Sequence, residues 1–263
     1  MKKVGFIGAG NMGSAILKAV SKNEKFTAFA TDHNLEKAKA LKEETGCGIL
    51  SNSEIAKICD YIFLGVKPYM LEDTIKSILP EINERKDSPV FVSMVCGLEI
   101  EKIVSWFGKD VQMIRIMPNT PVAIGEGMTV YTGNVSDDTE KEFLDMMKYS
   151  GVMSKLDEAH FDQATAVSGC GPAFVDLFVE ALADGGVLTG LKRDDALKYA
   201  AQMVKGSADL ILKSGKHPGK LKDEVCSPGG ATIEGVRVLE ESAFRGAVMD
   251  AVIAAFEKSR GMK

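Results

Sequence analysis

Gly8-Ala9-Gly10-Asn11-Met12-Gly13 is the stretch that decides the fold, and it stands between two apolar segments. The strand-like run at residues 4–7 precedes it, and a helix-like run at residues 14–17 follows it. Gly8 allows the tight turn, Gly10 lets a pyrophosphate approach the backbone, and Gly13 lets the helix pack closely on the strand. Because a helix N-terminus attracts anions, all six residues are predicted to bind a dinucleotide.

The composition is that of an ordinary globular protein. A chain of 263 residues can form one large domain or two moderate ones. Its net charge of -5 leaves no basic surface of the kind that neutralises phosphates. We therefore expect no nucleic-acid partner.

Cysteine and histidine spacing argues against a metal site. The five cysteines lack CxxC spacing, and the three histidines stand far apart. We expect no metal, and reduced thiols in a reducing compartment. No run reaches 18 consecutive apolar residues, so we also expect a cytoplasmic protein without a membrane partner.

Apolar runs alternate with helical patterns through the first half of the chain. Strands are predicted over residues 4–7, 26–30, 61–66, 90–95, 113–117 and 128–131. Helices are predicted over residues 35–44, 69–79, 100–107 and 138–149, with Pro80 and Gly108 as stops. This alternation predicts an α/β fold whose N-terminal domain is doubly wound, of the Rossmann type.

The second half has only helical patterns. They cover residues 161–167, 173–188, 193–213, 233–241 and 244–260. We therefore expect a dinucleotide-binding domain over residues 1–156 and an all-helical domain over residues 157–263. The helical domain has more apolar surface than it can easily bury alone, which favours self-association over a simple well-packed bundle.

A Gly-rich loop in the helical domain is a second candidate site. Ser227-Pro228-Gly229-Gly230-Ala231-Thr232 places free backbone N–H groups before a helix, which suits a carboxylate. The Thr232 hydroxyl would lie beside that anion. The alternative is an ordinary helix that Ser227 or Thr232 caps.

Other candidates follow predicted strands. Lys67, in Val66-Lys67-Pro68, can face a ligand at the carboxyl edge of the sheet or be an exposed loop lysine. The run MPNTP at 117–121 can wall the same pocket or be a rigid interdomain connection. Asp32 can accept hydrogen bonds from a ribose or can cap the helix that begins near residue 35.

Taken together, several segments closely resemble pyrroline-5-carboxylate reductase. They are GFIGAGNMG at 5–13, VKP at 66–68, MPNTP at 117–121, SGCGPAF at 168–174, HPGKLKDEV at 217–225 and SPGGATIEGVRVLEE at 227–241. The resemblance spans almost the whole chain in order. It implies reduction of L-1-pyrroline-5-carboxylate to L-proline by NADH or NADPH, the last step of proline biosynthesis.

The resemblance also implies roles for individual residues. Gly8, Gly10 and Gly13 would hold the pyrophosphate, while Asn52 and the segment 66–68 would line the cofactor. The loop 227–232, with Ser227 and Thr232 as the catalytic residues and Gly229, Gly230 and Ala231 beside them, would bind the substrate carboxylate. Glu158 would lie near the substrate. The family's helical domain forms an interlocked dimer, often assembled further into a ring of dimers.

Three residues depart from the family pattern. Cys170 stands where many relatives have serine, and Phe174 stands where tyrosine is usual. Asp32 stands where NADPH users often have Ser, Thr or Arg, so NADH is favoured, although His33, Asn34 and Lys37 could bind a 2′-phosphate and dual use is expected.

Three other interpretations compete with this one. A β-hydroxyacid dehydrogenase has the same two-domain plan, but its catalytic lysine and asparagine are replaced here by Val175 and Val179. Another imine reductase remains open, as does a non-catalytic dinucleotide-binding regulator, although retention of the second loop argues against the latter. A protonated imine is already electrophilic, so the protein mainly has to orient the reactants, with Thr232 as a hydrogen-bonding group.

Overall fold

The computed structural model describes residues 1–32 and 34–260. Its contacts divide the chain into two compact units, Met1–Cys170 with Phe256–Lys263 and Gly171–Ala255. This division falls later than the change in sequence pattern near residue 156. The predicted domain boundary between residues 156 and 157 stays a prediction.

An eight-stranded sheet forms the centre of the first unit. Its strands are β1 (Lys2–Ile7), β2 (Phe26–Thr31), β3 (Gly48–Ile49), β4 (Tyr61–Leu64), β5 (Val90–Ser93), β6 (Gln112–Met117), β7 (Gly127–Gly133) and β8 (Gly151–Lys155). Their order is β3-β2-β1-β4-β5-β6-β7-β8, and only β6 and β7 pair antiparallel. The order reverses between β1 and β4, which creates the crevice where such sheets bind ligands.

Helices cover both faces of this sheet. They are α1 (Asn11–Ser21), α2 (Leu35–Thr45), α3 (Asn52–Ile58), α4 (Pro68–Glu84), α5 (Ile100–Ser105), α6 (Asp137–Met147) and α7 (Phe161–Ala164). Apolar residues of α1, α2 and α6 pack on one face, and those of α3, α4 and α5 pack on the other. Both faces are therefore buried, as the near-continuous apolar strands predict. The predicted fold class is confirmed.

The expected end of α4 at Pro80 is wrong, because the helix continues to Glu84. Leu71, Ile75, Ile78 and Ile82 form a fully buried stripe on this helix. Proline inside a helix costs about 3 kcal/mol, and burial of one large aliphatic side chain returns about 1.5–3 kcal/mol. Packing of Ile82 with its neighbours on the sheet therefore carries the helix past the proline.

The second unit is entirely helical. Its helices are α8 (Gly171–Leu188), α9 (Arg193–Ser214), α10 (Pro218–Val225), α11 (Ala231–Glu241) and α12 (Phe244–Arg260), the last of which ends in the first unit. Helix α10 was not predicted from the sequence pattern, and neither were α3, β3 and β8. Among residues 171–255, the buried hydrophobic side chains are only Ala183, Ala196 and Ala200. Large apolar side chains of this unit therefore remain exposed in the isolated chain.

A π-helical turn, Thr165–Gly169, separates α7 from α8. The Cys170 N–H donates to the Thr165 carbonyl oxygen (2.9 Å), the five-residue spacing that defines such a turn. By length and composition, the helical stretch Glu158–Leu188 could cross a membrane, and it is the one such stretch among the described residues. A single stretch of this kind is weak evidence, because a core helix passes the same test.

Candidate cofactor and substrate sites

The glycine loop leaves the N-terminus of α1 open to an anion. Gly10 is the N-cap, no side chain caps the helix, and its first turn holds no acidic residue. A Cβ at Gly10 would meet nothing within 4 Å, so open space lies beside this residue. The free N–H groups and the positive end of the helix dipole suit a pyrophosphate. The observed geometry thus fits a dinucleotide.

Two glycine loops approach each other at the carboxyl edge of the sheet. Gly8 adopts a φ of +95°, a left-handed conformation that favours glycine. A Cβ on Gly8 would lie 2.7 Å from the Gly65 carbonyl oxygen, and one on Gly65 would lie 2.7 Å from the Gly8 oxygen. A Cβ on Gly13 would overlap the Gly8 oxygen as well. Side chains at these positions would push the loops after β1 and β4 apart.

Asp32 directly follows β2 at the same edge. Its Oδ1 accepts a hydrogen bond from the Asn34 N–H (2.8 Å), and Asn34 in turn caps α2 by accepting from Glu36 and Lys37. The capping alternative for Asp32 is therefore wrong, since Asn34 performs that role. His33 lies outside the described residues. A ribose-binding role for Asp32 stays a prediction.

The other expected cofactor residues also lie where strands meet helices. Lys67 is the exposed N-cap of α4, and Pro68 is its first residue. Val66 is half-buried between β4 and this helix. Asn52 is the first residue of α3, after the short strand β3 and a capping box at Ser51. A Cβ on Gly8 would lie 3.0 Å from the Val66 backbone nitrogen, so the start of this segment lies beside Gly8.

Asn119 ties the loop after β6 to the π-helical turn. Its side chain is 9% exposed, its Nδ2 donates to the Ser168 carbonyl oxygen (3.0 Å), and its Oδ1 accepts from the Met128 N–H (2.9 Å). Pro121 stiffens the 3₁₀ turn Thr120–Ile124 that follows. The MPNTP segment therefore connects the end of β6 to β7 and to the π-helical turn within the first unit.

The second Gly-rich loop has the expected form in the second unit. Gly229 has a φ of +68°, and Gly230 is the N-cap of α11 without any side-chain cap. The alternative in which Ser227 or Thr232 caps this helix is therefore wrong. Thr232 is exposed in the first turn, beside the free N–H groups. This helix start can accept a carboxylate.

One acidic residue shares that first turn. Glu234 forms a bidentate ion pair with Arg237, with Nη2 to Oε1 at 2.6 Å and Nε to both oxygens at 3.1 Å. The Arg237 guanidinium holds the pKa of Glu234 below its usual range. The paired arginine offsets the negative charge that would otherwise repel a bound carboxylate.

The Glu158 carboxylate accepts two hydrogen bonds within the first unit. Its Oε1 accepts from Arg115 Nη1 (2.8 Å) and from the N–H of Ile100, the first residue of α5 (2.9 Å). The Glu158 side chain is partly exposed, whereas that of Arg115 is buried. The predicted contact of Glu158 with substrate stays a prediction, but the observed partners show a second use for its carboxylate.

The sequence pattern gave no role to Gly65 or Arg115, and it placed Asn119 at this edge only as part of the MPNTP segment. A signal was present for each: a glycine directly after an apolar strand, an arginine inside one, and an asparagine between two prolines. None of these signals identifies a partner. The partners of Arg115 and Asn119 lie 43 and 49 residues away in the sequence.

Comparison with known proteins finds relatives along the whole chain. Residues 158–262 match the family model described as pyrroline-5-carboxylate reductase dimerisation, and residues 3–97 match NADP oxidoreductase coenzyme F420-dependent. The chain is 41% identical to pyrroline-5-carboxylate reductase of Escherichia coli, over 98% of this chain and 97% of the relative. It is 39% identical to that of Pisum sativum, over 98% and 94%.

Solved structures give the same result. Plasmodium falciparum pyrroline carboxylate reductase with NADP bound matches with a TM-score of 0.86 and 35% identity, over 99% of this chain and 98% of that one. The Streptococcus pyogenes 1-pyrroline-5-carboxylate reductase matches with a TM-score of 0.87 and 30% identity, over 98% of each chain. The chain belongs to the pyrroline-5-carboxylate reductase family.

Proposed function

We propose that this chain reduces the C=N bond of L-1-pyrroline-5-carboxylate to give L-proline, the last step of proline biosynthesis, with NADH or NADPH as the reductant. The observation that carries the proposal is the pair of glycine-capped helix starts, one in each unit, in a chain that matches reductases of this name along its whole length. A β-hydroxyacid dehydrogenase is not favoured, because Val175 and Val179 cannot supply its lysine and asparagine.

The first unit supplies the cofactor site in this proposal. Backbone N–H groups of residues 8–13 hold the pyrophosphate, and Asp32 accepts hydrogen bonds from the adenosine ribose. The rest of the cofactor site is lined by Asn52, Val66, Lys67 and Pro68. When bound, a reduced nicotinamide supplies a hydride. Since this family includes an NADP-bound structure and the first unit matches an NADP oxidoreductase model, NADPH use is supported alongside NADH.

The second unit supplies the substrate site. The loop of Gly229, Gly230 and Ala231 binds the carboxylate at the start of α11. The Gly230 N–H donates to the Ser227 carbonyl oxygen (3.0 Å) and shapes this loop, so the other N–H groups of the helix start face the anion. The hydroxyls of Ser227 and Thr232 orient the ring, with Thr232 near the nitrogen. The ring carbon of the protonated imine receives the hydride and the nitrogen keeps its proton, so the product is a secondary amine and no nucleophile is needed.

The test is an initial-rate assay with both reduced cofactors. The purified protein should oxidise NADPH or NADH in the presence of pyrroline carboxylate and should release proline in equal amount. Hydroxyacids with the oxidised cofactors are the control, and they should give no reaction. A folded, dimeric sample without cofactor oxidation above background would refute the proposal.

The helical unit also presents an apolar surface to a partner. Exposed apolar side chains of α8 and α12 form a groove with a volume of about 470 Å³, which we assign to contact with a second copy of the chain. That contact, rather than a lipid bilayer, covers the apolar stretch Glu158–Leu188, which Asp176, Glu180 and Asp184 interrupt. The proposed dimers assemble further into a ring. The proposed location is the cytoplasm, whose reducing environment is in keeping with five free thiols.

A further inference from the structure

Arg115 is the most deeply buried charge in the described sheet. It lies inside β6 with 1% of its surface exposed, and its register partners are Ser93 on β5 and Thr132 on β7. Nη1 donates to Glu158, and the guanidinium stacks on Phe161, with 4.7 Å from Cζ to the ring centroid. Nε has no hydrogen-bond partner. A charge in this position has a high desolvation cost.

Because of this desolvation cost, we expect the Arg115–Glu158 pair to position structural elements rather than to stabilise the fold. Replacing a buried ion pair by apolar side chains is often neutral or stabilising, so a buried pair is weak evidence for stability. The Arg115–Glu158 pair instead joins three separate elements. It connects β6 to the 3₁₀ turn Glu158–His160 and, through Glu158 Oε1, to the first N–H of α5.

Helix α5, whose first N–H binds Glu158, begins beside the second half of the sheet. The loop of residues 94–99 connects β5 to α5 at the carboxyl edge, and Gly97 in it has a φ of +77°. In doubly wound sheets each half of a dinucleotide lies on one half of the sheet. With the adenosine half at β1 and β2, the loops after β4, β5 and β6 face the nicotinamide half.

We infer that Arg115 and Glu158 are positioning residues for the nicotinamide half of the site, acting through the start of α5 and the loop of residues 94–99. Glu158 orients this loop through Oε1, which accepts from both Arg115 and the first N–H of α5. The inference rests on the proposed function, since a nicotinamide must be the group that the loop faces. Variants of either residue should therefore change turnover and leave the binding of the adenosine half of the cofactor unchanged.

Arg115→Met and Glu158→Gln test the inference, because each removes one charge of the pair and Glu158→Gln does so with little change in shape. Arg85→Met is the matched control: its guanidinium is also buried, but it binds the carbonyl oxygens of Ala56 (2.7 Å) and Cys59 (2.8 Å) at the amino edge of the sheet. Measurements are kcat at saturating reactants, ADP binding by calorimetry, and acrylamide quenching of Trp106. Trp106 is the single tryptophan and immediately follows α5.

We expect kcat to fall about ten-fold or more in both variants, with the double variant no worse than the poorer single one, as for residues that act as a unit. ADP affinity should stay within about two-fold of the wild-type value, whereas Trp106 quenching should change. Arg85→Met should lower the unfolding temperature and leave kcat, ADP affinity and Trp106 quenching unchanged. If Arg115→Met does not fold, the isosteric Glu158→Gln decides the outcome on the same measurements.

Three outcomes would overturn the inference. The first is a wild-type kcat in folded variants, and the second is an equal loss in Arg85→Met. The third is a raised substrate KM in Glu158→Gln with unchanged kcat and Trp106 quenching, which would make Glu158 a substrate ligand. An inactive wild-type protein would refute the proposed function instead, and Trp106 quenching with ADP binding would then still test the positioning role.

Discussion

At the scale of single residues, the two candidate sites use backbone more than side chains. Gly8 and Gly65 each leave the space that the other's carbonyl oxygen occupies. Gly10 and Gly230 begin helices whose first N–H groups remain free for a ligand. By contrast, α2 and α6 are capped by Asn34 and Ser136. Both candidate sites therefore lie at helix starts whose N-cap is glycine.

Thr232→Ala should slow turnover and leave cofactor binding intact. The variant removes one hydrogen bond to the reacting ring, which contributes about 0.5–1.5 kcal/mol, so kcat/KM should fall by roughly two- to thirteen-fold. Steady-state kinetics with calorimetric titration of NADPH provide the measurement. Thr232→Ser is the matched control and should retain most of the activity. An unchanged kcat/KM in Thr232→Ala would remove Thr232 from the site.

Asp32→Ser should shift the cofactor preference towards NADPH. A 2′-phosphate about 4 Å from this carboxylate meets a repulsion of roughly 4 kcal/mol at an effective dielectric of 20, which exposure and salt reduce to about 1–2 kcal/mol. The ratio of kcat/KM for NADPH to that for NADH should therefore rise about ten-fold. Asp138→Ser, at an exposed position on α6, is the control. An unchanged ratio would show that Asp32 does not contact the ribose.

At the scale of elements, α6 is held to the sheet by two phenol groups. Tyr61 Oη donates to Glu142 (2.7 Å), and Tyr131 Oη donates to Glu140 (2.8 Å). Glu140 also accepts from Lys155 Nζ on β8 (2.6 Å), which ties the edge strand to the same helix. Lys155 and Tyr131 hold the pKa of Glu140 below its usual range. Hydrogen bonds to Glu140 therefore connect α6 to both β7 and β8.

Tyr131→Phe should remove part of the alkaline pH dependence of stability. Burial, with Glu140 beside it, raises the pKa of Tyr131 from about 10 to about 12. The folded state then binds more protons than the unfolded state between these values, so this stabilisation is complete below pH 10 and is lost as pH rises towards 12. Urea unfolding from pH 8 to 12 should show a shallower decline in the variant.

The same experiment has a matched control. Tyr149→Phe removes a tyrosine that is 41% exposed and lies just after α6. Equal declines for the wild-type protein and Tyr131→Phe would contradict the assignment. A smaller free energy of unfolding for Tyr131→Phe at pH 8 is expected in addition, because its hydrogen bond to a carboxylate contributes about 1.5–3 kcal/mol.

At the scale of the whole molecule, the two units differ in how completely each buries its own side chains. The first unit has two large apolar clusters on the faces of its sheet. The second has only alanines among its buried hydrophobic residues. A helical unit of that kind requires a partner surface, because conformational entropy would otherwise outweigh the little apolar area that it buries. Its match to a dimerisation family model agrees with this requirement.

Leu177→Glu should weaken the dimer. Leu177 is 67% exposed and lines the groove with Phe174, Phe178, Phe244 and Val248. A carboxylate placed in an apolar interface loses its hydration without gaining a partner. Light scattering at micromolar concentration should show monomer, and the unfolding temperature should fall.

The control for this variant lies in the first unit. Ile124→Glu changes a residue of similar exposure (76%) outside the helical unit and should remain dimeric. A stable dimer of Leu177→Glu with the wild-type unfolding temperature would place the interface elsewhere on the chain.

The amino-acid sequence by itself determined the features that arise from neighbouring residues. Strand and helix periods gave six of the strands and most of the long helices, because each pattern is complete within about 4–20 residues. The glycine spacing of residues 8–13 and the order of motifs along the chain were enough to identify the family. The elements that it missed, such as β3 and α10, are short or lie beside glycine and proline.

Only the tertiary structure decided which distant residues meet. It paired Gly8 with Gly65, Arg115 with Glu158 and Asn119 with Ser168, and it extended α4 past Pro80. It also showed that Asn34, not Asp32, caps α2. The physical reason is that local patterns fix the periodicity of burial, whereas the identity of a contact partner depends on how the sheet orders its strands. That order is a property of the folded chain as a whole.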